Sequence, residues 1–147
     1  DEHDEAGHLI EDAEIRTQQV LKRLRKEEGL KREISPPRFH QAPDAAVTLI
    51  GWGSTYGAIL EAAAMLKQEG IPASVLHLTE VWPFPAEAVS SALKDSKKNV
   101  VIESNATGQM AHLIQAETGI ESSRINKFDG RPISARFILD ELKKGIL

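Results

Sequence analysis

The chain contains no cysteine and few aromatic residues, and its apolar runs are short. Without cysteine it forms no disulfide, offers no thiolate nucleophile and supplies no cysteine ligand to an iron–sulfur cluster. Its apolar runs fall far below the roughly 20 residues that a membrane helix needs, and no secretory signal pattern opens the sequence. These shortages together indicate a cytoplasmic protein.

The net charge and the length of the chain further limit the classes of protein to which it can belong. The 147 residues carry a formal net charge of −4, so a role in binding nucleic acid has no electrostatic support. Apolar residues make up 41% of the chain, which is enough for one ordinary domain with a buried core. Because the sequence begins with Asp1 rather than Met, we expect a piece of a longer polypeptide whose remainder holds the chemistry.

Residues 1–43 differ in composition from the rest and predict a helical linker. Seven acids and no bases occupy the first 14 residues, and seven bases follow up to Arg32, an order that the helix dipole favours. Gly29 is the predicted stop of the helix, and residues 35–44 are predicted to be extended. One apolar stripe recurs at roughly helical spacing, formed by Ile10, Ala13, Val20, Leu21 and Leu24. Both a solvated linker helix and a helix that docks between domains fit this pattern.

From residue 44 onward, short strand and helix patterns alternate, which predicts one α/β domain over residues 44–147. The predicted strands and helices are, in order, 46–50, 56–69, 74–81, 86–94, 99–103, 109–118, 124–128 and 135–144. Such alternation is typical of a mostly parallel sheet with helices on both faces. Right-handed crossovers then bring loops 51–57, 81–85 and 104–109 to one edge of the sheet.

The first of these loops is glycine-rich and joins a strand to a helix; its candidate residues are Gly51, Trp52, Gly53, Ser54, Thr55 and Gly57. Dinucleotide-binding loops have similar glycine spacing, and Glu80 ends the next strand where a ribose-binding acid would lie. The helix start after Ser54 would also stabilise a phosphate of CoA. However, Trp52 is bulky where a pyrophosphate needs close approach of the backbone. The alternative, a tight turn in which Ser54 or Thr55 caps the helix, therefore stays open.

The other two loops carry aromatic and polar side chains. Trp82 and Phe84 lie in a rigid Trp-Pro-Phe-Pro sequence, which is typical either of an interface anchor or of a small core beneath a loop. The third loop offers hydrogen-bonding groups at Glu103, Asn105, Thr107, Gly108 and Gln109. It fits either a polar ligand or partner, or a turn in which Asn105 or Thr107 caps the following helix.

No set of residues forms a convincing catalytic group. His3 and His8 lie among acids, which favours an acidic mobile terminus over a metal site, and we predict no metal ligand. His77 falls in a buried strand and His112 on a helix, so both favour a structural role. The sequence has no P-loop. The candidate nucleophiles Ser54, Ser104 and Ser134 do not lie in a sequence that resembles a nucleophile elbow.

Four motifs in order resemble one family: VTLIGWGST at 47–55, WPFP at 82–85, ESNATGQ at 103–109 and KFDGRP at 127–132. They are similar to the domain that follows the pyrimidine-binding domain in the α subunit of 2-oxoacid:ferredoxin oxidoreductases, and most similar to the 2-oxoglutarate or broad 2-oxoacid type. Residues 1–43 resemble the linker that leads from that missing upstream domain. The resemblance implies a transketolase C-terminal-like domain, a three-layer α/β/α sandwich with one antiparallel strand, for which residues 38–40 are the candidate.

The family oxidatively decarboxylates a 2-oxoacid, forms an acyl-CoA and passes electrons to ferredoxin. The resemblance implies thiamine diphosphate, Mg, CoA and iron–sulfur clusters in the complete complex, with none of them bound by this chain. It implies the pyrimidine-binding domain of the same subunit and a β subunit as partners, ferredoxin as an indirect one, and no turnover by the isolated chain. Domains of transketolase and of 2-oxoacid dehydrogenases share this fold, but the string at 103–109 favours the ferredoxin-linked family.

Overall fold

The computed structural model describes all 147 residues. Contacts divide the chain into two compact units, residues 1–34 and residues 35–147. The first unit covers most of the predicted linker. The predicted boundary at residue 43 stays a prediction.

The first unit is an antiparallel hairpin followed by one long helix: β1 (Glu2–His3), β2 (Leu9–Ile10) and α1 (Ala13–Lys31). Asp12 begins the helix, because its side-chain oxygen accepts the N–H of Ile15 at 2.9 Å and satisfies a donor of the first turn. The helix continues through Gly29, so the predicted stop there was wrong. An interior glycine costs only about 1 kcal/mol, and Lys31 pairs with two glutamates of the same turn.

The hairpin and the helix of this unit meet through an ion pair. The guanidinium of Arg23 lies 2.5 Å from the carboxylate of Glu2 on β1. The sequence did not predict the hairpin, because strands of two residues have no readable period. The predicted apolar stripe remains largely exposed within the unit at Val20, Leu21 and Leu24. Both interpretations of the helix, as solvated linker and as docking helix, stay predictions.

The second unit is built on a five-stranded sheet: β3 (Arg38–His40), β4 (Val47–Trp52), β5 (Ala73–Leu78), β6 (Asn99–Glu103) and β7 (Ser123–Asn126). The strand order is β3-β5-β4-β6-β7. The β3 strand runs antiparallel to β5, with Arg38 opposite His77, and all other pairs are parallel. The mostly parallel sheet and the antiparallel strand at residues 38–40 are therefore confirmed.

Helices cover both faces of this sheet. After a 3₁₀ turn at Gly53–Thr55 come α2 (Tyr56–Gln68), α3 (Ala86–Leu93), α4 (Gln109–Thr118) and α5 (Ala135–Lys143). Because side chains alternate along a strand, Leu49 of β4 packs beneath α2 and α5 while Ile50 packs beneath α3 and α4. The two buried clusters confirm the three-layer α/β/α sandwich. No helix is both long enough and apolar enough to cross a membrane.

Most element ends lie close to the predicted ones. Ser134 caps α5, as predicted, by accepting the N–H of Phe137 at 3.3 Å. Pro85 occupies the N-cap of α3 rather than its first helical position. At the N-cap the missing N–H of proline removes no helical hydrogen bond. The strand predicted at residues 74–81 is β5, which already ends at Leu78. The chain turns there toward Pro83 and leaves the hydrogen-bond ladder of the sheet.

Replacing Glu2 with Gln should loosen the hairpin in a pH-dependent way. The hydrogen bond from Arg23 lowers the pKa of Glu2 from 4.5 to about 2. A carboxylate with a lowered folded-state pKa stabilises above its unfolded pKa, and this contribution is lost as the pH falls through the folded value. We expect faster amide hydrogen exchange at residues 2–10 of the variant at pH 7, relative to wild type. The difference should shrink between pH 4.5 and about 2. Glu5→Gln, at an exposed glutamate of the same hairpin, is the control; a difference that is constant with pH would contradict this account.

Gly51 allows α2 to pack closely on β4. A Cβ at this position would lie 2.2 Å from Cδ1 of Ile59 and 2.5 Å from Oγ1 of Thr55. We expect Gly51→Ala to lower the free energy of unfolding in urea by about 1–3 kcal/mol, the usual cost of overpacking. The matched control is Gly57→Ala within α2, where a Cβ meets nothing within 4 Å. It should be neutral or stabilise by up to about 1 kcal/mol, and equal losses in both variants would contradict a packing role for Gly51.

Candidate functional site

The candidate site is the edge of the sheet at which the parallel strands end. We call it the carboxyl edge, formed by residues 51–57, 79–85, 103–109 and 127–133. Parallel pairing of β4 with both β5 and β6 brings the first three loops together, as predicted. The connection after β4 leads toward β5 and the connection after β6 leads toward β7. The directions therefore diverge between β4 and β6, where open α/β sheets characteristically form a crevice.

The glycine-rich loop is closed by its own side chains. The hydroxyl of Thr55 donates to the carbonyl of Trp52 at 2.9 Å and accepts the N–H of Trp52 at 3.2 Å. Gly53 has a φ of +56°, which glycine adopts without strain. Thr55 therefore closes the turn instead of capping α2 with its side chain. Together with the packing of Gly51, these contacts favour the tight-turn interpretation of the glycines.

Glu80, the candidate ribose-binding acid, already has a hydrogen-bond partner within the chain. Its carboxylate accepts the backbone N–H of Ser35 at 3.2 Å. In the glycine loop, Ser54 is exposed and Gly57 lies on the outer surface of α2. The structure thus brings the glycine loop to the edge, but it ties Glu80 to the segment before β3.

The aromatic residues of the edge separate into two kinds. Trp52 and Phe84 are half-buried and pack, with Val81, against the core beneath α3 and α4. Trp82 is 60% exposed. The interpretation as a small core beneath the loop therefore applies to Trp52 and Phe84, whereas Trp82 keeps an apolar surface that faces solvent.

Glu103 faces inward and is fully buried at the end of β6. Its carboxylate accepts the backbone N–H groups of Met110 at 2.8 Å and Ala111 at 3.1 Å, and the side-chain N–H of Asn105 at 2.7 Å. A carboxylate at this place satisfies free donors at the start of α4 and interacts favourably with the helix dipole. Glu103 is thus a buried cap of the helix.

Asn105 orders the remainder of that loop. Its side-chain oxygen accepts the N–H groups of Gly108 at 2.7 Å, Thr107 at 3.2 Å and Gln109 at 3.4 Å. Asn126 of β7 donates to its carbonyl at 2.7 Å. The polar groups of the loop are therefore largely bonded to one another, which favours the turn-and-cap alternative, whereas the side chains of Ser104, Ala106, Thr107 and Gln109 face solvent.

Three charged residues after β7, which belong to the KFDGRP motif, form a compact group. The carboxylate of Asp129 accepts hydrogen bonds from Nζ of Lys127 and from Nε (2.9 Å) and Nη2 (2.5 Å) of Arg131. The Lys127 hydrogen bond, followed by those of Arg131, holds the pKa of Asp129 well below its usual range. Asp129 in turn raises the pKa of Arg131. The sequence does carry a signal for this group: Lys127, Asp129 and Arg131 are spaced two residues apart in a turn that contains Gly130 and Pro132.

The histidines considered as candidate ligands or bases each contact a neighbouring group of the chain. Nε2 of buried His77 lies 3.1 Å from the carbonyl of Gly53, and its ring packs 4.5 Å from Tyr56. Since a carbonyl only accepts, His77 donates through Nε2, while its buried Nδ1 has no hydrogen-bond partner in the chain. The structural role of His77 stays a prediction. His112 is exposed and lies 3.1 Å from Nη1 of Arg124. His3 and His8 contact Asp4, and no group of three or more His, Cys, Asp or Glu side chains is arranged to hold a metal ion.

This architecture defines a class: the transketolase C-terminal-like α/β domains. A split-gene transketolase has the same fold, with a TM-score of 0.61 at 20% identity, over 77% of this chain and 42% of that one. A 2-oxoglutarate:ferredoxin oxidoreductase from Magnetococcus marinus, solved with 2-oxoglutarate, coenzyme A and succinyl-CoA bound, is more similar. Its TM-score is 0.81 at 28% identity, over 99% of this chain and 26% of that one.

Sequence comparison identifies the family within that class. Residues 45–138 match the family described as pyruvate:ferredoxin oxidoreductase core domain II, and the chain belongs to this family. The α subunit of 2-oxoacid:ferredoxin oxidoreductase 2 from Aeropyrum pernix is 35% identical over 97% of the chain. The corresponding α subunit from Saccharolobus solfataricus is 35% identical over 99%. The chain spans 23% of the length of each relative, and the resemblance found in the motifs is confirmed.

Glu103→Gln should weaken the start of α4. The amide keeps one acceptor oxygen and directs its NH₂ group at donors that the carboxylate had satisfied in a buried position. Because hydrogen bonds to charged groups contribute about 1.5–3 kcal/mol, we expect a loss of roughly that size in the free energy of unfolding. Glu117→Gln on the exposed surface of α4 is the control. Wild-type stability of Glu103→Gln in urea would contradict the capping role.

Proposed function

We propose that this chain is an assembly domain in the α subunit of a cytoplasmic, thiamine-diphosphate-dependent 2-oxoacid:ferredoxin oxidoreductase. The complete complex would oxidatively decarboxylate a 2-oxoacid such as 2-oxoglutarate to an acyl-CoA. Membership of the core domain II family supports the proposal, as do relatives described as α subunits of such enzymes. Within the complex, residues 1–43 would serve as the linker and residues 44–147 as the domain that contacts its partners.

The residues of this chain do not fit the reactive groups of such a complex. A chain without cysteine cannot supply the thiolates that hold an iron–sulfur cluster. No cluster of carboxylates and histidines is placed to hold the Mg ion that accompanies a diphosphate. Thiamine diphosphate, Mg and the clusters would therefore be held by other parts of the complex, and the isolated chain would be inactive.

The observation that carries the assembly role is the surface left over at the carboxyl edge. The loop at 103–109 bonds mostly to itself, and the glycine turn is closed by Thr55. Two large aromatic side chains nevertheless remain in solvent, Trp82 at 60% and Phe128 at 69% exposure. Large aromatics on fixed loops are typical anchors of protein interfaces. The edge thus has the character of a contact surface, and its proposed partners are the pyrimidine-binding domain of the same subunit and the β subunit.

Trp82→Ala should weaken assembly with these partners while leaving the chain folded. Truncation of an interface anchor costs roughly 2 kcal/mol or more, which is about a thirtyfold loss of affinity. The measurement is the dissociation constant between the 147-residue chain and the complementary part of the complex, with circular dichroism as the check on folding. Phe39→Ala, at a partly exposed aromatic residue of β3, is the matched control. Unchanged affinity of folded Trp82→Ala would remove Trp82 from the interface.

A further inference from the structure

A crevice of about 530 Å³ opens at the carboxyl edge between the turn after β4 and the loop after β7. Its walls include the hydroxyl-bearing Ser54 and Ser104, the cationic Lys127 and Arg131, and the exposed ring of Phe128. It lies at the carboxyl ends of β4 and β6, where the connections of the sheet diverge. Ligands of open α/β sheets bind in this position because loops from both sides contribute to one cleft.

The charge in and around this crevice is positive. No carboxylate lines it. Asp129 adjoins it, but its single negative charge is opposed by Lys127 and Arg131, which leaves the three residues with a net charge of +1. The other nearby acid, Glu103, is fully buried and directed at the start of α4. A small anion that enters the crevice therefore meets an attractive potential.

Within this group the two cations have different tasks. The side chain of Lys127 is only 12% exposed, and it holds the loop by donating to Asp129 and to the carbonyl of Arg131 at 3.0 Å. The side chain of Arg131 is 81% exposed. Asp129 engages its Nε and one of its terminal nitrogens, which fixes the guanidinium plane and leaves Nη1 for another acceptor. An arginine fixed in this way loses less conformational entropy when it binds an oxyanion.

We propose that this crevice binds the oxyanion of a small metabolite, a phosphate ester or a carboxylate. Arg131 donates to the anion, the hydroxyls of Ser54 and Ser104 donate from the opposite wall, and Phe128 contacts the apolar part of the ligand. This function goes beyond assembly, and the crevice lies within the carboxyl edge that is proposed to contact the partners. The phosphate and carboxylate classes share the same recognition chemistry, so the experiment separates them.

The test is calorimetric titration of the 147-residue chain at low ionic strength with pyrophosphate and, separately, with succinate. We expect one probe to bind, and Arg131→Gln to weaken its binding by about tenfold or more, as for loss of a charge-assisted hydrogen bond. Arg136→Gln is the matched control, because Arg136 is an exposed arginine of α5 that pairs with Asp140 and does not line the crevice. Binding of pyrophosphate alone assigns the phosphate class, and binding of succinate alone assigns the carboxylate class.

Ser104→Ala provides a second variant that leaves the contacts among Lys127, Asp129 and Arg131 in place. It should weaken the same probe by about threefold to tenfold, the range for loss of one neutral hydrogen bond. Failure of both probes to bind below about 10 mM, a very weak affinity, would overturn the proposal. So would an equal loss in Arg136→Gln, because binding would then follow overall charge. Neither result would touch the assembly role, which is measured by affinity for the partner subunits.

Discussion

The carboxylate of Glu103 is the contact on which the shape of the carboxyl edge depends. A buried charge is costly unless hydrogen bonds compensate it, and here three donors from Asn105, Met110 and Ala111 do so. The bonds attach the start of α4 to the end of β6, and the backbone carbonyl of Glu103 accepts the N–H of Lys127 at 3.0 Å. One residue therefore fixes the loop at 103–109 and the first residue of the loop after β7.

This arrangement supports the proposal that the edge serves contact with partners rather than chemistry of its own. Polar groups that would be attractive catalytic candidates in the sequence are engaged in holding the loops, as the bonds of Glu103 and Asn105 illustrate. The groups that remain available are aromatic rings, one fixed guanidinium and a few exposed polar side chains, among them Ser54 and Ser104. Such a surface can bind a neighbouring subunit and a small anion, and the reactive cofactors of a 2-oxoacid:ferredoxin oxidoreductase would come from elsewhere in the complex.

Much of the fold could be predicted because strand and helix periods are local properties of the sequence. The sheet, the covering helices and the meeting of three loops all follow from alternation and right-handed crossovers. The hairpin at residues 2–10 has strands too short to show a period, and the helical penalty of Gly29 is too small to end α1 there. The inward direction of Glu103 depends on where α4 begins in space. The contacts of Asp129 depend on a turn conformation, and neither can be read from spacing alone.

The most direct measurement is hydrogen–deuterium exchange of the chain, alone and mixed with the pyrimidine-binding part of the α subunit and the β subunit. If the carboxyl edge is the assembly surface, residues 79–85 and 127–133 gain protection in the mixture. The opposite edge of the sheet, at residues 94–98, exchanges as it does in the free chain. Protection confined to that opposite edge, with residues 79–85 and 127–133 unchanged, would contradict the assembly role of this edge.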